Sequence, residues 1–437
     1  MKSENNPAYT PPRGMRDIAP EEMAKRLYVR RKIEGVLSLY GYQLVDPTHV
    51  EKLETIFAKA GPEIEKEIYS FEDKGGRRLG LRFDLTVGMA RMVASNPDWP
   101  KPLRVAAIST IWRYDEPQYG RYRSIEQWDV ELFGTEGPGA DAEMVEICSK
   151  VMETLGLDGY EIVLSDRRLL DSVLQSLDLE AVKADIMRVL DKKGKITESE
   201  MRKQLADLKL DQTQISKLFE FASIRGGIFQ VVARLADEYP YLNRSVLDRM
   251  KEIGRTLQGS VDQERLVFDL SLVRGLDYYT GFVFECFDRA NPDLGSVLGG
   301  GRFDQLVGIY GRDCPAVGCA GGITRLIMSL EARGLIPDEA MPVPVAYVTP
   351  VTGKEMPDAS SIAKTLRDAG IPTVLEVMGR KLRKALDSAN KAGYVFAVIV
   401  GSRDIDKGVV TVRNMKSGEE KVVPIDEVSV PILSWQS

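Results

Sequence analysis

Histidine is almost missing from this chain of 437 residues, which has His49 and no other. That scarcity sets aside a Ser-His-Asp triad, an HExxH metalloprotease and any multi-histidine metal site. Chemistry must then come from arginine, carboxylate, tyrosine, backbone or a metal held by carboxylates. Cysteine is scarce too. Cys148, Cys286, Cys314 and Cys319 lack the close paired spacing of a zinc or redox site, so reduced core thiols are expected. No apolar run is long enough to span a bilayer, and the segment MKSENNPAYTPPRGMRDIAP has no apolar stretch. The expectation is a cytoplasmic protein, neither secreted nor membrane-bound.

An apolar content of 43% with 28% charged residues is that of a globular chain, and the length suggests two or three domains, each with its own core. The net charge of −6 argues against nucleic-acid binding over the whole surface and leaves room for a local basic patch.

The most informative stretch is WRYDEPQYGRYRSIEQWDVELFG, from Trp112 to Gly134. The run Leu103–Ile111 before it is apolar and β-rich. From Ile125 to Phe133 the pattern alternates, with Gln127, Asp129 and Glu131 on one face and Trp128, Val130 and Leu132 on the other. Two antiparallel strands follow from this, joined by a loop in which Pro117 and Gly120 stop either strand from continuing. The loop carries Arg113, Asp115, Glu116, Arg121 and Arg123. Guanidinium groups there suit a polyphosphate, because each offers a planar fork and keeps its charge. A solvated hairpin whose charges pair with one another fits the same residues.

Upstream, Pro20 opens a helix with Glu21 and Glu22 in its first turn, Val29, Ile33, Val36, Leu37 and Tyr40 at helical spacing, and Gly41 as its stop. IYSFEDKGGRRLGLRFDLT reads as a hairpin turning at Gly75–Gly76, its second arm carrying Arg82, Asp84 and Thr86 at alternate positions and hence on one face. An aspartate and a threonine side by side can hold an ammonium group; a turn with a solvated strand end is the alternative.

A core helix is expected over Asp141–Leu155 with Gly156 as its stop, followed by a strand at Tyr160–Leu164. From about 177 to 260 the sequence becomes helical and charged, with capping boxes at Thr197/Glu200 and Asp211/Gln214. Strands resume at Leu266–Ser271 and Phe282–Phe287, flanking RGLDYYTG at 274–281. Arg274 in that setting requires an anionic partner, either a ligand or Asp269 or Asp277. The glycines of SVLGGGRFDQLV (296–307) allow close approach to a ligand or a sharp bend. AVGCAGGITRLIMSLE (316–331) reads as a strand running into a helix with Arg325 in its first turns. Past Pro342 and Pro344 the order β-α-β-α-β-β-β makes a separate α/β domain. Arg380, Lys381, Arg383, Lys384 and Lys391 crowd one of its helices.

Arg113 and Asp115 with GRYR and the polar-faced strand, the RGLDYYTG octet, GGGRFDQLV, and the glycine-rich strand before Arg325 all resemble the histidyl-tRNA synthetases among the class II aminoacyl-tRNA synthetases. The first helix also resembles the dimer-forming helix and strand of that class, which makes YQLVDPTHVE the strand, whereas the pattern alone says only amphipathic helix. The resemblance implies an α+β fold: an antiparallel-sheet class II catalytic domain over 1–335 with a helical insertion at about 177–260, and an α/β anticodon-binding domain over 342–437. Either the insertion closes over the tRNA acceptor arm or it is a structural spacer.

The implied reaction joins L-histidine to ATP, carried with Mg²⁺, and transfers it to tRNA(His) in a homodimer. By the same resemblance Arg274 and Arg113 are catalytic, and Arg113, Asp115, Arg121 and Arg325 bind ATP. Asp84, Thr86, Gln127, Glu131, Tyr278 and Tyr279 bind histidine, while Arg380, Lys381, Arg383 and Lys384 meet tRNA. No resident metal is implied. Thr324, Phe303 and Ile125 depart from the family's usual glutamate, tyrosine and phenylalanine. A non-catalytic relative that senses histidine as the regulatory subunit of ATP phosphoribosyltransferase is the alternative.

Overall fold

The computed structural model describes residues 9–58, 66–116, 122–193, 196–273, 278–341 and 345–436. Arg121, Arg274, Asp277, Pro117, Gly120, Pro342 and Pro344 therefore lie outside the described residues. The chain divides into two compact units, Met1–Ile336 and Pro337–Ser437.

In the first unit a helix spans Pro20–Leu39. Proline at its first position has no N–H to leave unpaired, Glu21 and Glu22 offset the N-terminal dipole, and Val29, Ile33, Val36 and Leu37 form the buried stripe. Gly41, at φ +75°, turns the chain out of the helix.

The next stretch corrects the sequence reading. YQLVDPTHVE is two short strands, β1 (Gln43–Leu44) and β2 (Val50–Lys52), in different sheets. Pro47 falls between them and has no N–H to give to a ladder. The hairpin forms as β3 (Ser70–Glu72) and β4 (Arg78–Leu81) with Gly76 at φ +75° in the turn, and β2 pairs with β4. However, β4 stops at Leu81, and Thr86 opens a helix, Thr86–Ser95. Arg82 consequently does not share a face with Asp84 and Thr86. It is buried and donates to the carbonyls of Thr110 (2.8 Å) and Pro47 (2.5 Å) and to Asp46 (3.0 Å), tying the end of β4 to its neighbours.

Strands β5 (Leu103–Trp112) and β6 (Ser124–Phe133) pair antiparallel from Leu103↔Phe133 to Trp112↔Ser124. They continue into a sheet with β7 (Tyr160–Asp166), β8 (Arg225–Gly226), β9 (Leu266–Asp269), β10 (Phe282–Asp288), β11 (Ser296–Arg302) and β12 (Ala316–Gly322). Its order is β1-β5-β6-β12-β11-β10-β7-β9-β8, antiparallel except for the β1–β5 and β7–β9 pairs. The glycine triplet makes no bend: it lies within β11, where a Cβ on Gly300 would sit 2.0 Å from the Gly318 carbonyl oxygen.

Helix Pro138–Thr154 covers the sheet with Met144, Ile147, Cys148, Val151 and Met152. The helices at 183–190, 198–207, 212–222, 228–238 and 244–257 share that core, and both expected capping boxes are formed. This segment also supplies β8, an edge strand that its helical composition concealed. Arg249 on helix Arg244–Leu257 pairs with the fully buried Asp141, which Arg302 of β11 also engages at 2.7 Å. All four cysteines are buried.

The second unit has a five-stranded sheet of order β14-β13-β15-β16-β17: β13 (Ala346–Pro350), β14 (Thr373–Leu375), β15 (Phe396–Val400), β16 (Val409–Asn414) and β17 (Glu420–Pro424). Its core gathers Val348, Ile362, Leu366, Phe396, Val398 and Val412. The basic helix begins at Leu382, so Arg380 and Lys381 precede it. Lys381, Arg383 and Lys384 are exposed, whereas Arg380 pairs with the buried Glu376 at 3.1 Å.

Candidate functional site

A cavity of about 490 Å³ opens in the first unit over the middle of its sheet. Strand β6 supplies one wall. Its alternation brings Ile125, Gln127, Asp129 and Glu131 to the cavity, while Trp128, Val130 and Leu132 enter the core; the strand is buried from Trp128 to Phe133 and half-buried before that. Asp84 and Thr86 arrive from the β4 side, Arg113 and Asp115 from the end of β5, Tyr278, Tyr279 and Phe303 from the loops flanking β10 and β11, and Arg325 from helix Ile323–Ala332. Every described candidate for ATP or histidine binding thus lines one cavity.

The site carries charge of both signs. At one end Asp84, Asp129 and Glu131 are 3%, 0% and 1% exposed. The Thr86 hydroxyl lies 2.7 Å from Glu131 Oε1 and 3.3 Å from Asp129 Oδ2, and Gln127 Nε2 donates to Asp129 Oδ1 at 2.8 Å. Asp84 Oδ1 accepts the Val87 N–H at 3.0 Å. Asp84 Oδ2 and Glu131 Oε2 are buried with no hydrogen-bond partner among the described residues. Burial pushes the carboxyl of Asp84 up to about 6 and that of Asp129 up to about 7. Arg113 partly opposes the rise at both, and the Asp84 charge adds to it at Asp129. Glu131 rises well above the usual carboxylate range, again through burial, with Asp129 adding to it.

The guanidinium groups line the same cavity, Arg113 close enough to act on both Asp84 and Asp129. Arg113 Nε donates to the Phe83 carbonyl at 2.9 Å, which anchors the side chain where β5 meets the hairpin loop. Arg325 Nη1 donates to the Ser296 carbonyl at 2.5 Å. Arg123 serves the framework: its Nε donates to the Asp115 carbonyl, its Nη1 to the Arg13 carbonyl, and its guanidinium covers the Tyr114 ring at 3.8 Å. Mutual pairing of loop charges therefore describes Glu116, which meets Arg13 at 2.9 Å, and leaves Arg113 on the cavity wall.

Phe303, where the family usually has tyrosine, packs edge-on against Phe133 and Tyr278 with ring centroids 6.2 and 5.8 Å away. Asp129 is the acid to which sequence reasoning gave no role. Its place in the alternation between Gln127 and Glu131 was the available signal.

A family model described as histidyl-tRNA synthetase matches residues 14–326. The chain belongs to the histidyl-tRNA synthetase family. A second model, described as an anticodon binding domain, matches residues 345–434. Among the curated members of the histidyl-tRNA synthetase family, the histidine–tRNA ligase of Pyrococcus furiosus is 39% identical over 422 residues, covering 95% of this chain and 96% of its own. The crystal structure of histidyl-tRNA synthetase from Nostoc sp. PCC 7120 superposes with a TM-score of 0.82 at 26% identity, covering 98% of this chain and 99% of that one. A structure from Bacillus halodurans titled as an ATP phosphoribosyltransferase regulatory subunit/histidyl-tRNA synthetase shares the fold at TM-score 0.76 and 24% identity, over 90% and 98% of the two chains.

Proposed function

We propose that this protein is a histidine–tRNA ligase. The histidine carboxylate attacks the α-phosphorus of ATP, breaking the bond to the bridging oxygen and releasing pyrophosphate. The terminal ribose hydroxyl of tRNA(His) then attacks the carbonyl of the adenylate, and AMP leaves. Membership of the family implies ATP, histidine and tRNA as substrates. One observation supports the reading above all: a buried acidic pocket with two unpartnered carboxylate oxygens among the described residues shares one cavity with two arginines. Acids suit the cationic and N–H groups of histidine, and arginines suit the phosphates of ATP.

In this reading Arg113 meets the α-phosphate and Arg325 the γ-phosphate, and Asp115 faces the adenine. Catalysis consists of holding the carboxylate in line with phosphorus while fixed cations take up the developing charge. Arg274 and Arg121, which lie outside the described residues, keep the roles the resemblance gives them, at the carboxylate with the α-phosphate and beside the ATP. Mg²⁺ enters with ATP as part of that substrate. Asp84, Thr86 and Gln127 surround the α-amino group, Glu131 and Tyr279 the imidazole, and Tyr278 completes the pocket. Bonding both ring nitrogens rejects analogues lacking them by ~10⁴ to 10⁵, so selection needs no editing site.

The residues over 342–437 act as the anticodon-binding domain, with Arg380, Lys381, Arg383 and Lys384 toward tRNA, and the insertion at about 177–260 belongs to the catalytic domain. The active species is a homodimer. No helix among the described residues is long and apolar enough to cross a membrane, in keeping with a cytoplasmic enzyme. The histidine-sensing regulatory reading is not favoured, since nearly full-length relatives are ligases. Transfer of labelled histidine to a tRNA(His) transcript, dependent on ATP, tests the proposal. Binding of histidine without transfer would favour the regulatory reading.

A further inference from the structure

Three carboxylates are more than the pocket's stated chemistry has used. Asp84 was matched to the α-ammonium and Glu131 to the imidazole, which leaves Asp129 between them, fully buried and lining the same cavity. Two buried oxygens, Asp84 Oδ2 and Glu131 Oε2, have no partner among the described residues. The Thr86 hydroxyl has one hydrogen for two acids and lies nearer Glu131, so Asp129 Oδ2 is left with a long and shared contact. Such a cluster calls for a cation. A metal fits poorly, because among the described residues no three acids, histidines or cysteines are arranged to ligate one.

We infer that Asp129 is a specificity-determining residue which, with Asp84, takes the primary α-ammonium of the amino-acid substrate. The inference rests on the amino-acid-binding reading of this cavity and names the chemistry of one end of it.

Donor counting supports this. An ammonium brings three N–H donors, and the acids at that end offer Asp84 Oδ2 and the open lone pairs of Asp129. A neutral imidazole brings one donor, which Glu131 can accept. Gln127 gives its amide N–H to Asp129, so the same contact turns its carbonyl oxygen away from the acid as a third acceptor. Among the described residues, the charged groups that act on Asp129 are Asp84 from the segment before helix Thr86–Ser95, Glu131 two residues along its own strand, and Arg113 at the end of β5. In register, Asp129 pairs with Ala107 of β5 on one side and Ala320 of β12 on the other, both uncharged.

The test compares histidine with its des-amino analogue, 3-(imidazol-4-yl)propanoate, as ligands of the full-length wild-type protein and of Asp129→Asn. The expected result is that the wild type prefers histidine and that Asp129→Asn reduces this preference by about tenfold or more, the range for a charge-assisted hydrogen bond at a buried site. ATP affinity should stay unchanged. Equal losses for both ligands would reduce Asp129 to a structural residue and overturn the inference.

The wild type offers a second reading that does not depend on the variant folding. Its preference for histidine over the analogue should grow between about pH 6 and pH 8 as Asp84 and Asp129 ionise, the imidazole being common to both ligands. A flat ratio would overturn the inference. If the wild type bound neither ligand, the amino-acid-binding reading itself would fail, an outcome distinct from either of these.

Discussion

Gly318 and Glu131 face each other across the β6–β12 pair so closely that a Cβ on Gly318 would lie 1.6 Å from Glu131 Oε2. The same atom would lie 2.7 Å from the Val130 carbonyl oxygen, so rotating the glutamate away cannot make room for it. The bare backbone of β12 is what lets a carboxylate occupy the floor of the cavity. Gly318→Ala is therefore expected to displace Glu131 and raise KM for histidine by about 10- to 100-fold, the scale of one lost hydrogen bond to a charged group. The KM for ATP should change far less. Histidine-dependent pyrophosphate exchange checks this, and a near-wild-type KM for histidine would refute it.

The buried acids also set a pH dependence. Asp84 and Asp129 hold protons in the empty folded protein up to about 6 and about 7, whereas in the unfolded chain they lose them near 4. Across that interval the native state binds more protons than the unfolded state, so their contribution to stability falls as pH rises through 6 and 7. A bound ammonium favours the ionised carboxyls and offsets the fall. The rise in melting temperature caused by saturating histidine should accordingly grow between pH 6 and pH 8. A rise that shrinks over this range in thermal melts would contradict the assignment.

Much of this site was legible in the sequence because it lies on regular elements. The alternation of β6 placed Gln127, Asp129 and Glu131 together, and the glycine-rich run before Arg325 announced a strand entering a helix. The stretch around Asp84 was misread for a local reason: an alternating R-x-D-x-T continues a strand on paper, yet the Asp84 carboxylate accepts the Val87 N–H at the start of a helix and the strand stops. Pro47 split one expected strand into two. Asp129 was placed on the correct face without a role, since the cost of three acids in one cavity depends on burial, which spacing alone does not show.

In the proposed mechanism the guanidinium groups carry the second half. Arg113→Ala should lower the rate of adenylate formation by roughly 10² to 10³, the usual loss for one preorganised charge-stabilising donor, and Arg274→Ala should do the same. Arg113→Lys should restore little, since a point charge cannot reproduce the planar fork. Pyrophosphate exchange in these variants at wild-type rates would remove the arginine concerned from the mechanism.

The first unit has its own core and the whole cavity. Deleting residues 343–437 is expected to spare histidine-dependent pyrophosphate exchange and to weaken tRNA charging sharply. Intact charging by the truncated protein would show that the second unit has no part in recognising tRNA.

The decisive measurement is ATP/pyrophosphate exchange with each of the twenty amino acids supplied singly. A pocket that pairs buried acids with an ammonium and an imidazole, beside arginines for ATP, predicts exchange with histidine alone. Exchange with another amino acid, or with none, would contradict it.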